Sequence, residues 1–444
     1  MISKRLRKSL TALLTAALVA ATLVPVSAAE TASSDSVSTD SAIETSTEEA
    51  DTETVSDADA GESEVEVEST EDEEVDTQST NAQVSGVTVS LDEPVYMKTG
   101  SAIKPTPHVT VSGTTVSAGT YTVSYHNNTK VGTAAVVVKG ANKGDVKWTG
   151  TYSASFKIVK KKISLSSKEI KVLGVEDRQY TQSGNYKQDN VKVYYINPES
   201  GDYTELREGV DYTKTITGTS AANKKKMKVV ITPASSSTIF KGKKTIKFRT
   251  YDKKKVLTDP DNITVSVSYN NKSLANYEAV DPVFKNSTSL ALTKIKPSVT
   301  LTDSDGNKLT EGTDYKVTYK ANKNPGIASI VVKLKKSGKQ TYYGKLIRYF
   351  TIEPIEITSS MVTYCQTKSS SYTYTGDEII PSMKVKVKIN GKVRTLTQDT
   401  DYYVACINNV KKRSASATNP PTAYVFGMGK YQGYIGSDTF RIKK

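Results

Sequence analysis

Short segments of the chain alternate between large or apolar residues and small or charged polar residues. The alternation has a period of two in residues 121–125 (Tyr-Thr-Val-Ser-Tyr), 264–268 and 384–389. A period of two places one face of a strand against a core and the other in solvent, as in half-buried antiparallel strands. Turn pairs such as Gly306-Asn307 and Asn390-Gly391 separate these segments and leave no room for long helices. The pattern predicts an all-β protein.

The chain contains an internal repeat. An aromatic-x-Gly element occurs four times, with a tyrosine 27 to 29 residues before its aromatic residue and a phenylalanine 8 or 9 residues after it. Written as tyrosine, aromatic residue and phenylalanine, the copies are Tyr121, Trp148, Phe156; Tyr212, Phe240, Phe248; Tyr315, Tyr342, Phe350; and Tyr402, Tyr431, Phe440. Successive phenylalanines are 92, 102 and 90 residues apart. This is the length of one small β-sandwich domain.

Several of these segments resemble a known family. Residues 311–319 (Glu-Gly-Thr-Asp-Tyr-Lys-Val-Thr-Tyr), and residues 374–381 ahead of Asp401-Tyr402, are similar to the bacterial immunoglobulin-like repeats of Gram-positive cell-surface proteins. The resemblance covers roughly residues 86–444. It implies a sandwich of about seven strands per repeat and a place on or outside the cell wall, in adhesins or as spacers, and it implies no chemistry. The first repeat departs from it at Thr120, and the second lacks both the Ile-x-Pro element and the Asn turn.

The predicted fold is therefore tandem immunoglobulin-like β-sandwich domains after a disordered acidic segment. The predicted organisation is a signal peptide in residues 1–29, a Ser/Thr-rich acidic linker in 30–83, and four repeats in 84–160, 161–252, 253–353 and 354–444.

The N-terminus predicts export. Four basic residues between Lys4 and Lys8 precede an apolar run in residues 10–24 and a small-residue stretch at residues 26–29, as in a secretory signal peptide. The run is too short to span a bilayer, and no later segment is long and apolar enough to do so. We expect a secreted or cell-wall-associated protein with no membrane span after the signal is removed.

Charge is distributed unevenly. Residues 30–76 contain 19 acidic residues and no basic one, a composition that favours a disordered, extended segment. Residues 77–444 carry 56 Lys and Arg against 28 Asp and Glu. Lysine runs at 160–162, 224–226 and 253–255 suit solvated turns and edges, or a surface attracted to anionic wall polymers and glycans. The candidate partners are cell-wall polymers, extracellular glycans or surface proteins. Nucleic acid is not an expected partner, because the chain is predicted to be exported and has no groove-reading motif.

Residues that recur in every copy are expected to be architectural. Asp211, Asp314 and Asp401 would accept a backbone N–H at the start of a strand, and Trp148 would fill the same core position as its counterparts. The histidines are His108 and His126, and His126 is expected in a surface turn. No catalytic or cofactor-binding residue is predicted.

A segment of the third repeat resembles the start of a calcium loop. Residues 303–307 (Asp-Ser-Asp-Gly-Asn) could converge oxygen ligands, but the bidentate Glu of such a loop is missing. The segment also aligns with a plain hairpin at residues 389–392, so no metal site is predicted.

Cys365 and Cys406 form a candidate disulfide, since an isolated pair in an exported protein often bonds. Cys406 occupies an inward position of its strand and is expected to be buried. A disulfide and two free thiols both remain open, because the sheet register decides whether the two residues face each other.

Three functions fit the sequence. The first is a non-catalytic structural or adhesive surface protein whose repeats, placed end to end, would reach about 120 Å. The second is a module that binds glycans or anionic wall polymers. The third is an accessory region of a secreted hydrolase, which would need a cluster of unrepeated polar residues that the sequence lacks.

Overall fold

The computed structural model describes residues 84, 86–199, 201–252, 255–286 and 289–444. The predicted signal peptide and linker lie outside these residues, as do Lys253 and Lys254. Almost all of the regular secondary structure in the described part is β strand, with only short helical turns, so the all-β prediction is confirmed. No helix in these ranges is long and apolar enough to cross a membrane.

Repeat 1 is a sandwich of two sheets. Its strands are β1 (Val87–Ser90), β2 (Val95–Met97), β3 (His108–Val111), β4 (Thr114–Thr115), β5 (Tyr121–His126), β6 (Gly132–Gly140) and β7 (Thr151–Val159), with a 3-10 helix at Ala118–Thr120. The first sheet has the order β1-β3-β4 and the second β2-β7-β6-β5. The chain changes sheets between β1 and β2, since β1 pairs antiparallel with β3 while β2 pairs parallel with β7.

Repeat 2 also has two main sheets, but some of its strands form separate two-stranded pairs. Its strands are β8 (Ile163–Ser164), β9 (Ile170–Leu173), β10 (Arg178–Gln179), β11 (Lys192–Ile196), β12 (Tyr203–Glu205), β13 (Tyr212–Thr217), β14 (Met227–Pro233), β15 (Phe240–Lys241), β16 (Lys244–Phe248) and β17 (Thr250–Tyr251). The sheets are β12-β11-β9 and β13-β14-β16, with short parallel pairs β10-β17 and β15-β8.

Repeat 3 has two larger sheets. Its strands are β18 (Lys255–Val256), β19 (Ile263–Tyr269), β20 (Lys272–Ser273), β21 (Ala279–Val280), β22 (Ser298–Asp303), β23 (Lys308–Leu309), β24 (Tyr315–Lys320), β25 (Gly326–Leu334), β26 (Tyr342–Tyr343) and β27 (Lys345–Ile352). One helical turn, α1, spans Gly338–Thr341. The sheets are β20-β19-β22-β23 and β21-β27-β25-β24, with the parallel pair β18-β26.

Repeat 4 ends the chain. Its strands are β28 (Ile355–Glu356), β29 (Val362–Thr367), β30 (Ser371–Thr373), β31 (Met383–Ile389), β32 (Lys392–Leu396), β33 (Tyr402–Ile407), β34 (Thr422–Gly427), β35 (Tyr431–Gln432), β36 (Tyr434–Thr439) and β37 (Arg441–Lys443), with a 3-10 helix at Ser359–Met361. The sheets are β29-β31-β32 and β33-β34-β36, with parallel pairs β28-β35 and β30-β37.

Each repeat has its own hydrophobic core between its sheets. The recurring tyrosine, aromatic residue and phenylalanine lie in these cores, and none of the twelve is more than 9% exposed. Burial of a large aromatic side chain is a major source of stability for a small domain. Among the described residues, no pair of strands joins one repeat to another. The repeats therefore contact each other only through side chains and loops.

The glycine of the aromatic-x-Gly element has a backbone reason for recurring. Gly150, Gly242, Gly344 and Gly433 have φ values of 104°, 73°, 90° and 93°. Residues with a Cβ adopt this region at a cost, whereas glycine does so freely. The element turns the chain sharply, so that a buried aromatic residue is followed at once by the last long strand of the repeat.

Candidate functional site

The recurring aspartates cap the tyrosine strands. The carboxylates of Asp211, Asp314 and Asp401 accept the backbone N–H of Arg207, Thr310 and Thr397 at 2.7, 2.8 and 3.0 Å. In repeat 1, Thr120 instead donates its hydroxyl to the carbonyl of Ser117 at 2.7 Å. The expectation that these aspartates are architectural is confirmed.

Trp148 is also architectural. It is 1% exposed and lies with its ring centroid 6.1 Å from that of Tyr121 and 5.8 Å from that of Tyr152. A sugar-stacking platform must be open to solvent, so Trp148 is not one.

A recurring asparagine clamp was missed by sequence reasoning. The side-chain amide of Asn128 donates to the carbonyl of Ile103 at 2.8 Å, and the backbone N–H of Ile103 donates to the carbonyl of Asn128 at 2.9 Å. The pairs Asn322–Ile295 and Asn409–Ile379 make the same two bonds. All three asparagines are buried. The Ile-x-Pro element and the Asn turn therefore hydrogen-bond to each other and form one structural unit, which explains why repeat 2 lacks both.

Cys406 occupies a tyrosine position. In repeats 1 and 3 the equivalent Tyr125 and Tyr319 donate their hydroxyls to the carbonyls of Pro105 and Pro297 at 3.0 and 2.6 Å. Cys406 is 2% exposed, so the expectation of a buried residue is confirmed.

The two cysteines pack in one core, and the structure has no bond between them. A Cβ built on Gly436 of β36 would lie 3.0 Å from Sγ of Cys365, which places that thiol against β36. Cys406 lies on β33, with β34 between the two strands and a register offset of two residues. Gly436 therefore lies about 10 Å across the sheet and about 7 Å along it from Cys406. Because the Cys365 thiol lies against Gly436, the two cysteines are farther apart than a disulfide usually allows. We therefore expect two unbonded thiols, and the candidate disulfide is the alternative outcome of a thiol assay.

His126 is not in a surface turn, and that expectation is wrong. It is the last residue of β5 and is 4% exposed, and burial lowers its pKa to about 4. It shares the outward face of β5 with Ser124, whose Oγ lies 3.3 Å from its Nε2. That face is buried because β5 contacts β33 of repeat 4.

Asp303, the first residue of the segment that resembles a calcium loop, forms a turn. Its carboxylate accepts the backbone N–H groups of Asp305 and Asn307 at 3.0 and 2.7 Å, as in a hairpin between β22 and β23. Throughout the described ranges, no three His, Cys, Asp or Glu residues are grouped to hold a metal ion.

Repeats 1 and 4 pack face to face. Val137 of β6 forms an apolar cluster with Ala405 of β33 and with Tyr424 and Phe426 of β34. The hydroxyls of Ser153 and Tyr403 lie 2.5 Å apart across this contact. The expectation of repeats placed end to end is therefore wrong, because the first and last repeats bury their outward faces against each other.

This contact had a signal in the sequence. Residues 134–138 of β6 and 423–426 of β34 are all apolar, whereas a half-buried strand would be apolar at every second position, and all of them are buried in the structure. Continuous apolar runs are typical of strands that are covered on both faces.

Repeats 2 and 3 meet through tyrosines. The rings of Tyr277 and Tyr349 stack with centroids 5.0 Å apart, and the ring of Tyr194 lies 6.2 Å from that of Tyr277. Nζ of Lys192 lies 4.9 Å from the centroid of the Tyr277 ring. Tyr277 has a φ of 70°, a backbone conformation that a bulky residue holds only when its surroundings require it.

A charged cluster joins repeats 1 and 2. Arg207 of repeat 2 bonds to Glu93 of repeat 1 and lies 3.1 Å from the carboxylate of Asp211. Burial and the neighbouring Asp211 raise the pKa of Glu93 to about 7, although Arg207 opposes this shift. A second ion pair, Lys157–Glu199, spans the same junction.

A basic cleft lies between repeats 2 and 3. It is lined by Lys225, Lys247, Arg249 and Lys345 together with aromatic and acidic residues. The acidic residues are already engaged: Glu176 pairs with two arginines, and Asp177 accepts the backbone N–H of Arg249 at 2.8 Å. The lysines therefore leave the cleft positive.

Aromatic surface accompanies these cations. Tyr251 and Tyr343 stack with ring centroids 4.6 Å apart, and the guanidinium carbon of Arg249 lies 5.7 Å from the centroid of Tyr251. Such a surface can hold an anionic group by charge and a sugar ring by stacking.

No family model matches the chain, and no curated protein is similar to it in sequence. Similar solved structures include the protocadherin gamma B4 extracellular domain, at a TM-score of 0.16 and 8% identity over 80% of this chain and 67% of that one. Domains 4–9 of the surface layer protein SbsC give a TM-score of 0.14 and 12% identity over 81% and 65%. Cadherin-like domains 1 to 4 of zebrafish RET give 0.12 and 8% over 70% and 83%. Similarities of this size establish neither family nor function.

Proposed function

We propose that the chain is an exported, non-catalytic structural or adhesive protein of the bacterial cell surface. The observation that carries this proposal is the face-to-face packing of repeats 1 and 4. Repeats 1 and 2 are also in contact, as are repeats 2 and 3. These contacts support the interpretation that the four sandwiches form one scaffold in which the repeats hold each other in place. The recurring aspartates, asparagines and tyrosines are all engaged in holding individual repeats together.

The test uses the full mature chain and isolated Gram-positive cell walls. We expect retention on the walls and no release of soluble wall fragments or reducing ends over time. Time-dependent release that requires the folded protein would contradict the non-catalytic proposal. A protein that neither binds walls nor any surface protein extracted from them would contradict the adhesive part.

Binding of anionic polymers is a second candidate function. The basic cleft between repeats 2 and 3 favours it, because four cationic side chains line it beside the half-buried, stacked rings of Tyr251 and Tyr343. Such binding depends on counterion release and weakens steeply with salt. Retention on walls that disappears between 50 and about 300 mM salt would support it, and retention unaffected by salt would reject it.

A further inference from the structure

Repeat 4 carries a row of lysines that the other repeats lack. Lys384, Lys386 and Lys388 alternate along β31 with buried Val385 and Val387, so all three point outward from the first sheet. Alternate residues on a strand lie about 7 Å apart, and the row therefore places three ammonium groups along one line. Lys384 and Lys388 are exposed and Lys386 is half-buried, so among the described residues no other repeat covers the two ends of the row.

The position of β31 argues against a role in edge protection. Lysines often lie on edge strands, where they discourage pairing with another sheet. β31 is the central strand of its sheet, between β29 and β32, and both of its edges are already paired. Protection of a sheet edge therefore does not explain the three lysines of β31.

The repeats provide an internal comparison. When the strands are matched by the Ile-x-Pro element before them, His108 and Thr110 of β3 correspond to Lys384 and Lys386, and so do Thr300 and Thr302 of β22. The sandwich thus forms without lysine at these positions, with threonine at three of the four matched places and His108 at the fourth. A feature that is present once among otherwise matched copies is better explained by function than by architecture.

No carboxylate neutralises the row. None of the ion pairs among the described residues includes Lys384, Lys386 or Lys388. Their neighbours across the strands are uncharged: Gln366 and Tyr364 on β29, and Thr395 on β32. Like charges held on one face repel each other, and an anionic ligand would relieve this repulsion.

The flanks of the row suit the uncharged parts of a polymer. Nζ of Lys384 lies 5.3 Å from the ring centroid of Tyr364. On the other side, Val393 of β32 stands opposite Lys388 and is 58% exposed. A flat basic row with an aromatic and an aliphatic border can bind a chain whose anionic groups alternate with apolar or sugar units.

We infer that the outward face of β31 binds a linear phosphodiester polymer, with successive phosphates on Lys384, Lys386 and Lys388. Lysine acts as a point charge suited to single phosphate oxygens, whereas planar carboxylates are bound best by the two-pronged arginine side chain. The row contains no arginine. This inference rests on the second proposed function and assigns to it a second surface, separate from the basic cleft.

The test compares two variants of the full chain with equal loss of charge. One is Lys384→Thr, Lys386→Thr and Lys388→Thr, which reproduces the neutral outward residues of the other repeats. The control is Lys160→Thr, Lys161→Thr and Lys162→Thr, in an exposed run where repeat 1 ends and repeat 2 begins. Circular dichroism and thermal unfolding check that both variants fold like the parent.

Binding is measured by calorimetry against purified poly(glycerol phosphate) at several salt concentrations, with polygalacturonate as a carboxylate polymer of similar charge. Three lost phosphate contacts should weaken binding roughly 100-fold at 0.1 M salt and lower the slope of log K against log salt by about 2. The control should bind within about threefold of the parent, since it loses only distant charge.

Each other outcome overturns the inference. Equal losses in both triple variants would mean that net charge alone attracts the polymer. Binding of polygalacturonate as tight as that of the phosphate polymer would reject the phosphodiester assignment. If the β31 variant still binds the polymer strongly, the second proposed function is retained but its site is not on β31. If the parent does not bind the polymer, both the second proposed function and the β31 site are rejected.

Discussion

His126 is a buried, neutral imidazole on the face of repeat 1 that meets repeat 4. Burial lowers its pKa from 6.5 to about 4, so the unfolded chain binds a proton more readily than the folded one. The stability that this group contributes is complete above pH 6.5 and is lost as the pH falls from 6.5 to 4. At pH 5 the loss amounts to about 2 kcal/mol of the free energy of unfolding.

The measurement is urea unfolding at pH 7 and pH 5. We expect His126→Leu, which cannot titrate, to reduce the difference between the two pH values by that amount. His108→Gln is the matched control, because His108 is exposed and paired with Asp92 at 3.1 Å. Glu93, whose raised pKa has the opposite effect over this range, titrates in both proteins, so the comparison isolates His126. If His126→Leu shows the same difference between the two pH values as the parent, His126 is not buried as described.

Cys365 and Cys406 differ from reactive cysteines. Burial raises the pKa of Cys365 to about 12 and also raises the pKa of Cys406, so both thiols stay protonated at neutral pH. We expect no reaction with a thiol reagent in the native protein and two reactive thiols per chain after denaturation without reductant. No reactive thiol after denaturation, with an intact mass two hydrogens lower, would instead establish the disulfide.

At the scale of elements, the aromatic-x-Gly turn can be tested by its glycine. Gly344 has a φ of 90°, and a Cβ placed on it would meet no atom closer than 3.6 Å. The cost of Gly344→Ala is therefore backbone strain without a steric clash, about 1–2 kcal/mol.

The control for this prediction is Gly100→Ala. Gly100 does not have a positive φ, and its surroundings are open, so alanine should be neutral or slightly stabilising there. The urea unfolding midpoint of the repeat that carries each substitution, repeat 3 for Gly344 and repeat 1 for Gly100, is compared with that of the same repeat in the parent. Equal midpoints would mean that the turn tolerates a side chain and that the recurrence of glycine has another cause.

The elements differ in how well sequence reasoning could predict them. The period of two located β5, β19 and β31 to within a residue or two, because alternation is a local property of the chain. The asparagine clamp escaped notice because it joins segments that are 25 to 30 residues apart in the sequence. His126 was misplaced because its burial comes from repeat 4.

At the scale of the whole molecule, sequence reasoning predicted four sandwiches and failed on their arrangement. The contact between Ser153 and Tyr403 spans 250 residues, and no local pattern encodes it. In the sequence, only the uninterrupted apolar runs of β6 and β34 pointed to additional packing, and they did not indicate the partner. The lysine row of β31 was similarly visible as alternation, but its place on a central strand depends on the sheet order.

The contact between repeats 1 and 4 can be opened without touching either core. Ala405 is fully buried, yet it faces away from the core of repeat 4 and into the cluster with Val137. Ala405→Glu would place a carboxylate in this apolar contact, where an unpaired charge costs several kcal/mol. Because the penalty disappears when the two repeats separate, we expect repeats 1 and 4 to part while each sandwich stays folded.

Small-angle X-ray scattering of the full mature chain checks this expectation, with Thr318→Glu as a control on an exposed outward position of β24. Ala405→Glu should increase the maximum dimension, while far-UV circular dichroism stays unchanged. Thr318→Glu should change neither quantity. If Ala405→Glu leaves the dimension as it is, the two faces do not hold the repeats together in solution, and the scaffold proposal loses the observation that carries it.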